Sequence, residues 1–212
     1  MIFDIETVAD PDVIPFLDPP EAPSNYKDPA KIQEYVANAK KRQVEQLALR
    51  PWGCRIIAIG ITVNNGQPLT MTARTPDDEG RILGTFWQTW KLSHDNVGFN
   101  VLGFDLPVLI VRSRLLGVEM PIINYSKYRC DHVIDLMRVL DPTGEDPKSL
   151  TFWCKRLNLD VPDDTVTGAD IADLYAKGGH EAWLAISAHC DRDVIKTKAL
   201  YQRLFPVGSD VF

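Results

Sequence analysis

Ten consecutive residues from Cys54 to Val63, CRIIAIGITV, are apolar and β-branched apart from one arginine and a glycine, and such a run is a buried strand. A buried strand needs a sheet around it. Asn64-Asn65-Gly66 and the alternating PLTMTAR follow directly, which makes a hairpin. Met1 to Ile5 is apolar apart from Asp4 and reads as a strand that begins almost at once. Asp77 to Lys91 places Ile82, Leu83, Phe86, Trp87 and Trp90 on one helical face. Asn96 to Asn100 is a short strand leading to a helix over about 105–117, and residues 130–134 form a fifth strand. Ser149 to Leu157 and Glu181 to Phe205 read as helices around a loop with Pro162 and Gly168. Three strands followed by alternating helices and strands indicate an α/β fold, a mixed five-stranded sheet flanked by helices with the first strand central.

Residues 10–29 hold six of the 15 prolines and are expected to be loop. Asp28-Pro29 then starts an amphipathic helix over about 29–49. This Pro-rich loop and helix, at about 10–50, form an insertion longer than a compact connection needs, within one domain spanning 1–212. The four cysteines include no CxxC pair, which argues against a disulfide framework or a zinc site and fits a reducing cytoplasm. No apolar run approaches a membrane span, and MIFDIETVAD lacks a basic leader and a small-residue cleavage site, so a soluble, unsecreted chain is expected. The net charge of −6 argues against a protein that coats nucleic acid, but not against contact at a strand end.

Strand alternation puts Asp4 and Glu6 on one face, with Phe3 and Ile5 on the other. Two adjacent carboxylates at the end of an apolar strand repel, and a hard divalent cation would offset that repulsion. The alternative is a frayed terminal strand with solvated acids. Asp105 reads on its own as a cap of the helix that it opens, and Asn100 as a turn residue. His189 and Asp193 are four apart on the terminal helix and share a face, where they can pair with no catalytic purpose.

Taken together, FDIET at 3–7, NVLGFD at 100–105 and HCDRDV at 189–194 resemble, in order, the three motifs of the DEDD superfamily of 3′-5′ exonucleases. HVIDLM at 132–137 and SLTFWCKRLNL at 149–159 are similar to the predicted exonucleases related to family B polymerase proofreading domains. The resemblance covers nearly the whole chain and implies a ribonuclease H-like fold. One departure stands out. The superfamily's third motif has Tyr four positions before its Asp or His five positions before it, and here a histidine occupies the tyrosine position. Four residues keep two side chains about 40° apart around a helix and five about 140° apart, so His189 need not sit where the superfamily's base does.

The resemblance implies a metal-dependent hydrolase with two Mg²⁺ or Mn²⁺ ions held by Asp4, Glu6, Asp105 and Asp193, Asp4 bridging. His189 accepts the proton of the attacking water or only positions that water. Thr7, through its backbone, and Asn100 are expected to contact the terminal nucleotide. The implied partner is nucleic acid, a single-stranded 3′ end, with DNA favoured over RNA. A DNA polymerase is a second expected partner, with the chain a separate proofreading subunit in a bacterial or phage-infected cell, and no membrane is expected. The rivals are the same chemistry on RNA and a non-catalytic nucleic-acid-binding protein of the same fold. Asp135 reads as a support of the site or as a helix cap. Lys40, Lys41 and Arg42 read as phosphate contacts or a solvated face, and Trp52 as a base-stacking or a packing residue.

Overall fold

The β-branched run forms β2 (Cys54–Thr62), the antiparallel partner of β1 (Ile2–Ala9) on one side and of β3 (Leu69–Thr72) on the other. The computed structural model describes residues 1–64, 66–126 and 129–206, and Asn65 of the expected turn lies outside the described residues. On its other edge β1 pairs in parallel with β4 (Asn96–Gly98), while β5 (Tyr125–Ser126) and β6 (Arg129–Cys130) make a separate two-stranded ribbon. β7 (Val133–Asp135) pairs in parallel with β4 and completes a five-stranded mixed sheet in the order β3-β2-β1-β4-β7. The first strand is central, as expected.

Alternation along β1 divides the core. Phe3 and Ile5 enter an aromatic-rich layer with Phe86, Trp87 and Trp90, supplied by α2 (Pro76–Leu92), and Leu106 and Leu109 of α3 (Asp105–Leu115). Ile2 and Val8 face the opposite layer, between the short helices α4 (Leu136–Leu140), α5 (Leu150–Arg156) and α6 (Ile171–Lys177) and the long α7 (Gly179–Leu204). Along α7, Ala182, Ile186, Cys190, Val194 and Thr197 are buried at helical spacing, so this stripe lies on the sheet. Gly60 allows the close approach: a Cβ there would lie 2.8 Å from Cys190 Sγ and 3.0 Å from Val194. No helix among the described residues is long and apolar enough to cross a membrane.

The insertion between β1 and β2 contains α1 (Pro29–Leu47), capped by Asp28. Residues 10–29 are not all loop, because Asp10 accepts from the Asp12 N–H and caps a 3₁₀ helix at Pro11–Phe16. The neck of the insertion is tied by a buried cluster. Arg112 donates to Asp10 Oδ2 at 2.6 Å and, through Nε and Nη2, to both oxygens of Glu79 at 2.7 Å. Two further differences from expectation are local. The strand at 96–100 stops at Gly98, since Asn100 adopts a left-handed φ of 61°, and the strand expected at 130–134 enters the sheet at 133–135.

Candidate active site

β1 delivers Asp4 and Glu6 to the face covered by α7, opposite Gly60 and Ala58 of β2, and a bulge follows between Glu6 and Thr7. α7 brings His189 and Asp193 over the same spot. The His189 Nε2 lies 3.5 Å from Glu6 Oε1 and 3.8 Å from Asp193 Oδ2. These four side chains line one cavity of about 370 Å³ together with Thr151, Asp164 and Thr167 among others. The acidic donors gather in two groups, each within 4.8 Å: Asp4 and Glu6 with Cys190 Sγ, and Asp193 with Asp164 and His189. Most of these donors are carboxylate oxygens, the set preferred by hard divalent cations such as Mg²⁺ and Mn²⁺.

Asp105 is the first residue of α3 but not its cap, a position occupied by Phe104. Its carboxylate is buried and accepts hydrogen bonds from its own N–H and that of Ile5, beside Asp4 rather than in the cavity wall. Asp135 does both of the things expected of it as alternatives. Its Oδ1 accepts from the Met137 N–H that opens α4 and from Asn100 N–H at 2.8 Å, and Oδ2 accepts from Leu102 N–H at 3.0 Å. It therefore braces the loop that leads to Asp105. Thr7 and Asn100 do not line the cavity, and the Thr7 hydroxyl donates to Ala48 O at 2.7 Å. Lys40, Lys41 and Arg42 are exposed on α1, and Trp52 is 56% exposed.

Sequence reasoning missed a cation. Lys196, 2% exposed, donates to Asp193 Oδ1 at 3.0 Å and to Asp164, which also accepts from Thr151. One ammonium thus ties α7 and, through Asp164 and Thr151, the 160–167 segment and α5. A lysine on the buried stripe of α7, three residues after an aspartate, is the signal that would have found it. Nothing local marks Asp164.

The electrostatics follow from the crowding. Burial first, then the charges of Asp105, Glu6 and Asp193, push Asp4 well above the usual carboxylate range, while Lys196 opposes the rise. Burial and the charges of Asp193 and Asp105 do the same to Glu6. Burial pushes Asp105 up to about 7, against the pull of its backbone donors. Burial also lowers His189, with Asp193 opposing, so the imidazole is neutral at neutral pH. The folded state thus holds these carboxylate protons more tightly than the unfolded chain, and stability must fall as pH rises from about 4 to about 7. His189 acts in the opposite sense, one imidazole against three carboxylates. Metal-free protein is expected to lose on the order of 5 °C in Tm across that window, with a smaller loss in Asp4→Asn. A Tm that climbs through the window, measured in a chelating buffer, contradicts the charge crowding.

Comparison with known proteins gives a consistent picture. Residues 49–210 match the family described as a predicted 3′-5′ exonuclease related to the exonuclease domain of PolB, a stretch that includes Asp105, His189 and Asp193 but not Asp4 or Glu6. An uncharacterized protein of Methanocaldococcus jannaschii is 30% identical over 174 residues, covering 78% of this chain and 94% of that protein. The family B DNA polymerase of the hyperthermophilic archaeon Pyrobaculum calidifontis superposes with a TM-score of 0.65 at 18% identity, a likeness of fold. That alignment covers 96% of this chain and 24% of the polymerase chain, so the whole chain corresponds to about a quarter of the polymerase.

Proposed function

The chain belongs to the family of predicted 3′-5′ exonucleases related to the exonuclease domain of PolB, and on that premise we propose that it is a metal-dependent enzyme hydrolysing phosphodiester bonds from the 3′ end of single-stranded DNA. One observation carries the reading. Asp4 and Glu6 from the first strand meet His189 and Asp193 from the last helix around one open cavity, with Asp105 buried beside Asp4. Like charges crowded this closely are costly in a merely structural role, and a cation-binding role gives them a purpose.

In this reading Asp4, Glu6, Asp105 and Asp193 would hold two Mg²⁺ or Mn²⁺ ions. When bound, the ions make the attacking water more acidic, stabilise the leaving 3′ oxygen and offset charge at phosphorus. His189, neutral and with Nε2 turned toward Glu6 and Asp193, accepts the proton of that water. Lys196 holds Asp193 from behind and keeps the 160–167 segment as a wall of the cavity. Thr7, by its backbone, and Asn100 serve the terminal nucleotide only if that nucleotide reaches past the cavity toward the end of β1. Proofreading beside a polymerase is the biological role that this chemistry fits.

Incubation of linear and circular single-stranded DNA, and of linear RNA, with Mg²⁺ or Mn²⁺ tests the proposal. Linear DNA is expected to be degraded, circles to survive, and a chelator to stop the reaction. Efficient cutting of circles means an endonuclease and overturns the reading, and degradation confined to RNA moves the substrate.

A further inference from the structure

α1 is an anomaly as a structural element. It runs for 19 residues, yet Leu47, at its very end, is the one residue that it buries among its own. A helix gains most of its stability in a protein from packing an apolar face, so most of this helix does something other than build the core. Its composition is also out of keeping with the chain. Residues 27–52 carry Lys27, Lys31, Lys40, Lys41, Arg42 and Arg50 against three acidic side chains, a surplus of three positive charges in a protein whose total is −6. The lysines and arginines of this segment are exposed, and the contact from Lys41 to Glu45, at 3.8 Å between two solvated side chains, neutralises little.

The position of the helix gives the charge a direction. Its carboxyl end is fixed to β1 one residue beyond Glu6, outside the cavity wall, because Thr7 donates its hydroxyl to Ala48 O. Arg42 lies about 9 Å up the helix axis from that anchor, roughly one and a half nucleotides of extended strand. Trp52, 56% exposed, stands between Arg50 and the backbone bond from Asp10 N–H to Gly53 O that closes the neck. A half-exposed indole beside a basic helix is the pairing with which proteins track single strands, the cations meeting phosphates and the ring stacking on a base.

We propose that α1, with Trp52 at its foot, is a guide for the sugar-phosphate backbone of the single strand whose 3′ end occupies the cavity. The inference rests on the nuclease reading above and adds to it the path of the strand and the source of its affinity. The guide binds phosphates of the strand outside the cavity, so it acts on long substrates and not on the chemical step.

The test compares wild type with the triple variant Lys40→Glu, Lys41→Glu, Arg42→Glu, whose changes are all at exposed positions. Binding of a fluorescent oligothymidylate of about twenty nucleotides is measured by anisotropy without metal, so that the readout does not depend on hydrolysis. Hydrolysis of the same strand and of the p-nitrophenyl ester of thymidine 5′-monophosphate is measured with Mn²⁺. The variant is expected to lose at least about tenfold in affinity for the oligonucleotide, with its log-log salt slope flatter by about 2. Its KM for the strand rises in step, and its turnover of the ester stays that of wild type. Trp52→Ala is expected to lose several-fold in affinity with no change in salt slope. Affinity and salt slope unchanged in the triple variant overturn the guide even if both proteins hydrolyse the strand. If the triple variant loses binding while wild type hydrolyses nothing, the guide stands and the nuclease reading falls.

Discussion

Asp4→Ala is expected to fold normally and to lose at least about 10³-fold in hydrolysis rate, on the order of 4 kcal/mol of transition-state stabilisation. Asp4 stands closest to the centre of the acidic cluster, with Asp105, Glu6 and Asp193 all acting on it. Removing it deletes a proposed metal ligand and also relieves repulsion, so the metal-free variant should melt no lower than wild type near neutral pH. Asp193→Ala should lose as much activity but behave differently on heating. Asp193 is one of the two carboxylates paired with buried Lys196, and its loss leaves that ammonium with Asp164 alone. Its Tm is therefore expected to drop. Turnover near the wild-type value in either variant, under saturating Mg²⁺ or Mn²⁺, contradicts the assignment of ligands.

His189→Ala is expected to cost about 10²- to 10⁴-fold in rate. A base must be neutral to take a proton, and burial lowers the His189 pKa, so wild-type activity under saturating metal, which keeps the carboxylate ligands ionised, should persist into mild acid before it falls. In His189→Ala that acid limb should disappear. His189→Tyr separates a base from a positioner. A phenol at this spacing can hydrogen-bond the attacking water, and a substantial recovery of rate with the acid limb gone means that His189 only positions the water. Rate and pH profile both unchanged in His189→Ala would reduce the residue to packing against Glu6.

Much of the framework was legible because it is periodic. The alternation of Phe3, Asp4, Ile5 and Glu6 has a period of two, which is enough to place the two acids on one face and the two hydrophobes in the aromatic layer. The i, i+4 relation of His189 and Asp193 likewise predicts a shared face, and both side chains line the cavity. Sequence reading was blind where one polar side chain meets another across the fold. Arg112 and Asp10 are 102 residues apart, and Lys196 and Asp164 are 32 apart, and neither pair belongs to a local pattern. α6 was missed because seven residues hold less than two full turns of periodicity, too few to stand out from the Pro162–Gly168 loop. Asp105 was ambiguous because an acid at a helix start is usually its cap. Only the fold shows Phe104 in that position and the Asp105 carboxylate turned to the Ile5 N–H.

The proposed activity admits a 3′ end to the cavity and cuts there with the help of divalent ions. Its most direct test is a time course on single-stranded DNA labelled at the 5′ end, with the 3′ terminus either free or chemically blocked, in Mg²⁺ or Mn²⁺. The free strand is expected to shorten through a ladder of products one nucleotide apart, the blocked strand to remain intact, and Asp4→Ala to leave both untouched. Release of the labelled 5′ nucleotide at the earliest times, or equal loss of the blocked strand, would contradict it.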